Sequence, residues 1–194
     1  MKQLSNLINF LFEASTLKRL KRTGWQILGE NEESIAEHTY MVTVVSYVLA
    51  IELKANIEKV LLIALFHDFE EARTGDIYRL ADKYVKIAKA KAVQDAFGNL
   101  PESSKIIKLT SEYEQRKTLE AKIVKDADTL ALCIELKQLI EKGNIHAREW
   151  LEHNINQLIL DKSREIGNKI KKTDSQEWWK KEREFLHKLS KDLR

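Results

Sequence analysis

His67 and Asp68 end an apolar run, Leu61-Leu62-Ile63-Ala64-Leu65-Phe66. A helix that is apolar all round is buried. A buried carboxylate without a partner is costly and must shift its pKa or find a cation. A divalent metal, with imidazole and carboxylate as ligands, is one partner that suits both side chains. A second histidine points the same way. His38 precedes Val42, Val45 and Leu49 by four, seven and eleven residues, which places it at the end of an apolar helical stripe. A third element is Lys125-Asp126-Ala127-Asp128. Asp128 shares a face with Val124 and Leu132, and Asp126 shares one with Lys122 and Leu130. Periodicity does not choose between them, and a solvated pair beside Lys122 and Lys125 is the simpler expectation for either aspartate.

These residues need elements to hold them. Leu4, Leu7, Ile8, Leu11 and Phe12 make a helical stripe, in a helix expected to end near Leu20. The polar stretch from Arg22 to Glu33 reads as a loop. Ser34-Ile35-Ala36-Glu37 matches a capping box, so a helix starts there and runs to about Leu53. Its run of Val42, Thr43, Val44 and Val45 is a poor helix former that burial must override. Asn56 caps a helix expected over Ile57 to about Arg73, with Gly75 as its stop. Further helices are expected over Leu80–Phe97, after Pro101, over Gln115–Lys142, over His146–Lys171 and over Ser175–Leu193. No strand is convincing. The expected fold is all-α, a bundle of six to eight helices in one domain spanning 1–194.

Composition agrees. In 194 residues, 43% hydrophobic content supports a core, while 6 Gly and 1 Pro argue against a turn-rich β fold. The single cysteine excludes an intramolecular disulfide and suggests a reducing, cytoplasmic setting. A net charge of +3 demands no nucleic acid partner, and the lysine-rich runs 80–92 and 162–172 read as solvated faces. No apolar stretch is long enough for a membrane span. His146, His153 and His187 read as surface or packing residues, and Cys133 as a buried hydrophobe. Trp178-Trp179 suggests an apolar interface on the last helix.

The order His38, His67-Asp68, Asp128 resembles the pattern of the HD-domain metal-dependent phosphohydrolases. The wording Glu37-His38, then His67-Asp68-Phe69-Glu70-Glu71-Ala72-Arg73-Thr74-Gly75-Asp76-Ile77, resembles the 5′-deoxynucleotidase subgroup. The likeness covers roughly residues 4–145, with helices 146–194 added on that core or at a dimer interface. It implies an HD domain and picks Asp128 over Asp126. It implies one divalent metal held by His38, His67, Asp68 and Asp128, a donor set that places Co, Mn, Ni or Fe ahead of Mg or Zn. Glu71, one helical turn after His67, then activates or orients the nucleophile. Asp76 bonds the sugar or handles the leaving-group proton. Arg22, with Arg19 as its rival, holds the phosphate. The segment Ile77-Tyr78-Arg79 lines the nucleoside site, with Arg79 among the substrate contacts, and Trp25 forms a pocket wall or a core plug. The implied activity is removal of phosphate from (deoxy)nucleoside 5′-monophosphates by a metal-activated water, in a homodimer. The alternatives are another phosphate ester or a nucleoside triphosphate as substrate, or a non-catalytic metal- or nucleotide-binding module.

Overall fold

A computed structural model describes residues 2–29 and 33–192 of the chain, and among them the regular elements are helical. Helix α1 (Lys2–Thr16) leads into a 3₁₀ segment (Thr23–Ile27). It is followed by α2 (Ile35–Glu52), α3 (Ile57–Phe66), the single turn α4 (Glu71–Thr74) and a second 3₁₀ segment (Arg79–Lys83). Then come α5 (Lys89–Phe97), α6 (Ser103–Gln115), α7 (Leu119–Glu141), α8 (Ala147–Gln157), α9 (Asp161–Lys172) and α10 (Glu177–Asp192). Met1, the Glu30–Glu32 stretch of the expected loop and residues 193–194 lie outside the described residues.

The central helix is α7. At 23 residues it is about 34 Å long. Ile123, Val124, Leu130, Cys133 and Leu136 are fully buried along it. Helices α2, α3, α6, α8 and α9 all pack on α7. One apolar cluster joins Trp25 and Val42 to Leu130, Leu151 and Leu158, so α8 shares the core of α2, α3 and α7. A smaller cluster of Leu17, Ile35, Phe69, Val93 and Phe97 fastens the end of α1 to the α4–α5 region. Close approach of α9 depends on Gly167, where a Cβ would meet Leu158 Cδ1 at 2.9 Å.

Local chemistry sets the ends. The capping box at Ser34 forms as expected: its hydroxyl accepts from the Glu37 amide, and the Glu37 carboxylate accepts from the Ser34 amide at 2.7 Å. Asn56 caps α3 by accepting from the Lys59 amide.

Several expected helices are shorter or divided. The helix over Ile57–Arg73 stops at Phe66, and residues 67–70 form a turn before α4. The expected Leu80–Phe97 helix is a 3₁₀ segment plus α5. The helix at Gln115 begins instead at Leu119, because Arg116 closes α6 with φ 53° and Thr118 caps α7 by accepting from the Ala121 amide. The His146–Lys171 helix divides at 158–160. There the buried Asp126 carboxylate accepts the amides of Ile159 and Leu160, each at 2.8 Å. That answers the choice left open by periodicity: Asp126 is a satisfied anchor for the chain and is neither solvated nor free for a ligand.

Candidate active site

Each site residue sits at a helix end or on the buried face of α7. His38 lies in the first turn of α2, fixed by the capping box, and is fully buried. His67 stands at the C-cap of α3, and Asp68 follows it in the turn. The early end of α3 turns the chain so that both side chains face inward. Asp128 projects from the middle of α7 toward them. One ligand atom each from His38, His67 and Asp128 lies within 4.8 Å of the others. Asp68 adjoins this group, its Oδ2 standing 3.1 Å from His67 Nε2.

The tautomers can be read from the partners. A carbonyl only accepts, so His67 Nδ1–H donates to Ala64 O at 2.8 Å. That leaves Nε2 a bare lone pair directed at the Asp68 carboxylate. Lone pair against carboxylate is repulsive unless a proton or a cation lies between them. His38 also lies between carboxylates. Its Nε2 is 3.0 Å from Asp128 Oδ1, while Nδ1 faces Glu33 Oε1 at 3.7 Å.

Electrostatics carry the same message. Burial works against charge on His67, yet Asp68 outweighs it and raises the imidazole pKa. Burial also opposes charge on Asp68, but His67 holds that carboxyl down at about 2. Asp128 is held well below the usual range: against burial, Lys125 and His38 stabilise its charge. Glu71 goes the other way. Burial, then Asp68 and Asp76, push it up to about 10 against the pull of Arg22. The cluster thus holds more negative charge than its own cations offset. Two imidazoles and two carboxylates, with the His67 Nε2 turned inward, fit a divalent cation.

The cluster meets a cavity of about 660 Å³ through Asp128. Arg22, Asp76, Arg79, Lys125 and Asp128 line it. Arg22 has a largely covered side chain, with Nη1 3.8 Å from Asp68 Oδ2 and Nε 3.7 Å from Glu33 Oε2. Its rival Arg19 is exposed and is not among the lining residues. Asp76 follows Gly75, whose φ of 70° favours glycine. Its Oδ2 accepts from the Thr23 amide and, at 3.2 Å, from the Thr23 hydroxyl. Asp76 therefore ties the Arg22 loop to the turn after α4. Trp25 both plugs the core and lines the cavity, and its Nε1–H donates to Glu33 Oε2 at 2.8 Å.

Three neighbours escape sequence reasoning. Glu33 is 8% exposed and touches Trp25, Arg22 and His38, but it lies in a polar stretch with no periodicity. Antiparallel pairing of Lys21 with Ser34 brings it beside Arg22, and that pairing has no short-range signal. Tyr113 of α6 sets its hydroxyl 3.4 Å from Asp128 Oδ2 and its ring edge-on to His67. Lys125 bonds Asp128 Oδ2 at 2.7 Å and does not simply solvate α7. His153, expected as a surface or packing residue, is exposed and also lines the cavity.

Comparison with known proteins gives a consistent picture. A family profile described as the HD domain matches residues 14–174. A 5′-deoxynucleotidase HDDC2 of Danio rerio is 31% identical over 145 residues, covering 71% of this chain and 72% of that relative. The 5′-deoxynucleotidase hdd1 of Schizosaccharomyces pombe is 32% identical over 150 residues, covering 72% and 75%. Among solved structures, a conserved hypothetical protein from Pyrococcus furiosus superposes with a TM-score of 0.72 at 33% identity, over 86% of this chain and 99% of that one.

Proposed function

The chain belongs to the HD-domain family, and from that membership and the site we propose that it is a metal-dependent phosphomonoesterase acting on deoxynucleoside 5′-monophosphates. The observation that carries the reading is the convergence of His38, His67 and Asp128, the last of which lines a cavity together with Arg22. Curated relatives named 5′-deoxynucleotidase support the substrate class. The test is phosphate release from ribo- and deoxynucleoside 5′-monophosphates by metal-stripped protein given Co, Mn, Mg, Ni, Fe or Zn in turn. Release confined to deoxy substrates and dependent on added metal supports the reading; release that survives metal stripping overturns it.

His38, His67, Asp68 and Asp128 would hold one divalent ion. When bound, that ion supplies Lewis-acid polarisation of the phosphoryl oxygen and a lowered pKa for water. The mixed imidazole and carboxylate donors suit Co, Mn, Ni or Fe better than Mg. Arg22 grips the phosphate through its N–H fork and meets charge that grows in the transition state. Glu71 orients the attacking water and takes its proton. The carboxylate form that this needs is disfavoured by burial, then by Asp68 and Asp76, and is favoured by added positive charge. Asp76 and Arg79, which line the same cavity, would contact the leaving nucleoside.

Two substitutions probe these roles. Arg22→Ala is expected to raise KM for nucleotide about 10- to 100-fold, as loss of a charge-assisted phosphate contact of about 1.5–3 kcal/mol implies. Steady-state kinetics checks it, and an unchanged KM removes Arg22 from phosphate binding. Glu33→Ala is expected to weaken metal affinity about 10- to 100-fold, because an outer carboxylate holds a ligating imidazole in its tautomer and orientation. Competition against a chelator measures this without turnover, and Glu33→Gln, which keeps an acceptor for Trp25, should lose less.

Residues 1–194 read as one HD domain, since α8 and α9 complete the core of the motif-bearing helices. No helix among the described residues is long and apolar enough to cross a membrane. The lone cysteine, buried on α7, accords with a cytoplasmic setting. A homodimer completes the reading. Tyr40, Val44, Tyr47, Val48 and Ile51 repeat along the outer face of α2, each 41–68% exposed, while the inner face packs on α3 and α7. A second copy seated there would bury the stripe that makes α2 apolar on both sides. Val44→Arg is expected to convert a dimer to a monomer in light scattering; a wild-type monomer would refute the assignment.

A further inference from the structure

Resting on the nucleotidase reading, we propose that α8 is the wall that recognises the nucleobase, and that it favours bases carrying an exocyclic amine over thymine or uracil.

The phosphate end of the cavity is anchored by Arg22 and Asp128. From there the floor follows one face of α7: Lys125, Asp128, Thr129 and Leu132 are spaced i, i+3, i+4 and i+7, and all line the cavity. Asp128 to Leu132 is about 6 Å along the helix axis, roughly the reach of a phosphate plus a sugar. What lies past Leu132 therefore meets the base.

That position is held by α8, which returns along α7 with its register pinned where Asp126 binds the amides of Ile159 and Leu160. Glu149, Trp150, His153 and Asn154 line this part of the cavity. They form two i, i+4 pairs, Glu149 with His153 and Trp150 with Asn154, so one face of α8 presents all four. Trp150 is half-buried against the core and offers an indole plane for stacking. Two of the polar groups on this face, Glu149 and Asn154, offer acceptor oxygens. One N–H of the Asn154 amide is spent on Trp150 O at 2.8 Å, and Oδ1 remains to accept beside the second N–H. Glu149 as a carboxylate only accepts. An acceptor-rich edge matches the N–H donors of adenine, cytosine and guanine, whereas thymine offers carbonyls in those places.

The experiment compares kcat/KM of the metal-loaded enzyme on dAMP, dCMP, dTMP and 2-deoxyribose 5-phosphate, which has no base. Wild type should prefer dAMP and dCMP to dTMP. Glu149→Ala with His153→Ala, both on exposed side chains, should erase that preference. Trp150→Leu should raise KM about tenfold more for the nucleotides than for 2-deoxyribose 5-phosphate, the loss expected of one stacked base. If Trp150→Leu fails to fold by circular dichroism, the exposed pair decides. Equal losses on the base-free ester, or an unchanged base preference in the exposed pair, overturn the assignment and leave the phosphatase reading standing. No phosphate release from any substrate with any metal overturns both.

Discussion

Replacing His67 with alanine is expected to remove the bound metal and at least about 10³-fold of kcat, about 4 kcal/mol of transition-state stabilisation. Asp68→Ala should do the same. His67 is buried, its Nδ1–H is spent on Ala64 O, and its Nε2 is turned into the cluster. Among the described residues that could ligate a metal there, the others are carboxylates or the already oriented His38, so none replaces that nitrogen. Thermal melting separates loss of metal from loss of fold. A ligand at about 1,000 times its Kd stabilises by about 4 kcal/mol, which for a chain of this size raises Tm by about 8–16 °C. Wild type should show that rise with added metal and His67→Ala should show none, while both melt cooperatively when stripped. A variant that keeps metal-dependent activity would remove His67 from the site.

Glu71→Gln is expected to retain the metal and its effect on Tm but lose about 10²–10⁴-fold in kcat, the usual contribution of a positioned general base. Glutamine keeps the shape and removes the proton-accepting oxygen. The surroundings explain why the carboxylate is responsive to charge. Burial, Asp68 and Asp76 raise it to about 10, and Arg22 opposes them. Its neutral form therefore prevails near pH 7 until positive charge enters the cluster. Metal content by mass spectrometry, read beside single-turnover kinetics, distinguishes the roles. If Glu71→Gln binds metal poorly, Glu71 is a ligand and the base lies elsewhere.

How much of this could be read from one chain depends on the distance over which each feature is specified. The capping box and the stripe behind His38 are local, and both formed where the spacing put them. The helix carrying His67 was legible, but its end was not. The apolar period runs on to Arg73, whereas the structure stops α3 at Phe66 and turns His67 and Asp68 toward α2 and α7. That break satisfies packing against other helices, which a window of neighbouring residues does not contain. Asp126 and Asp128 are two residues apart on one helix and looked equivalent. Only the fold gives one of them the amides of Ile159 and Leu160 and the other two histidines.

An all-α chain, the types and order of the metal-ligand candidates, and the family that they resemble are all legible in the order of residues. These follow from helical periodicity, capping chemistry and residue spacing, all interactions within a few residues. Tertiary structure alone decided the role of Glu33, the engagement of Tyr113 and Lys125, and the presence of His153 in the cavity. Those groups join from loops and helices far apart in the chain. Their proximity is set by which apolar faces bury one another on α7, and burial alone then assigns each polar atom its partner.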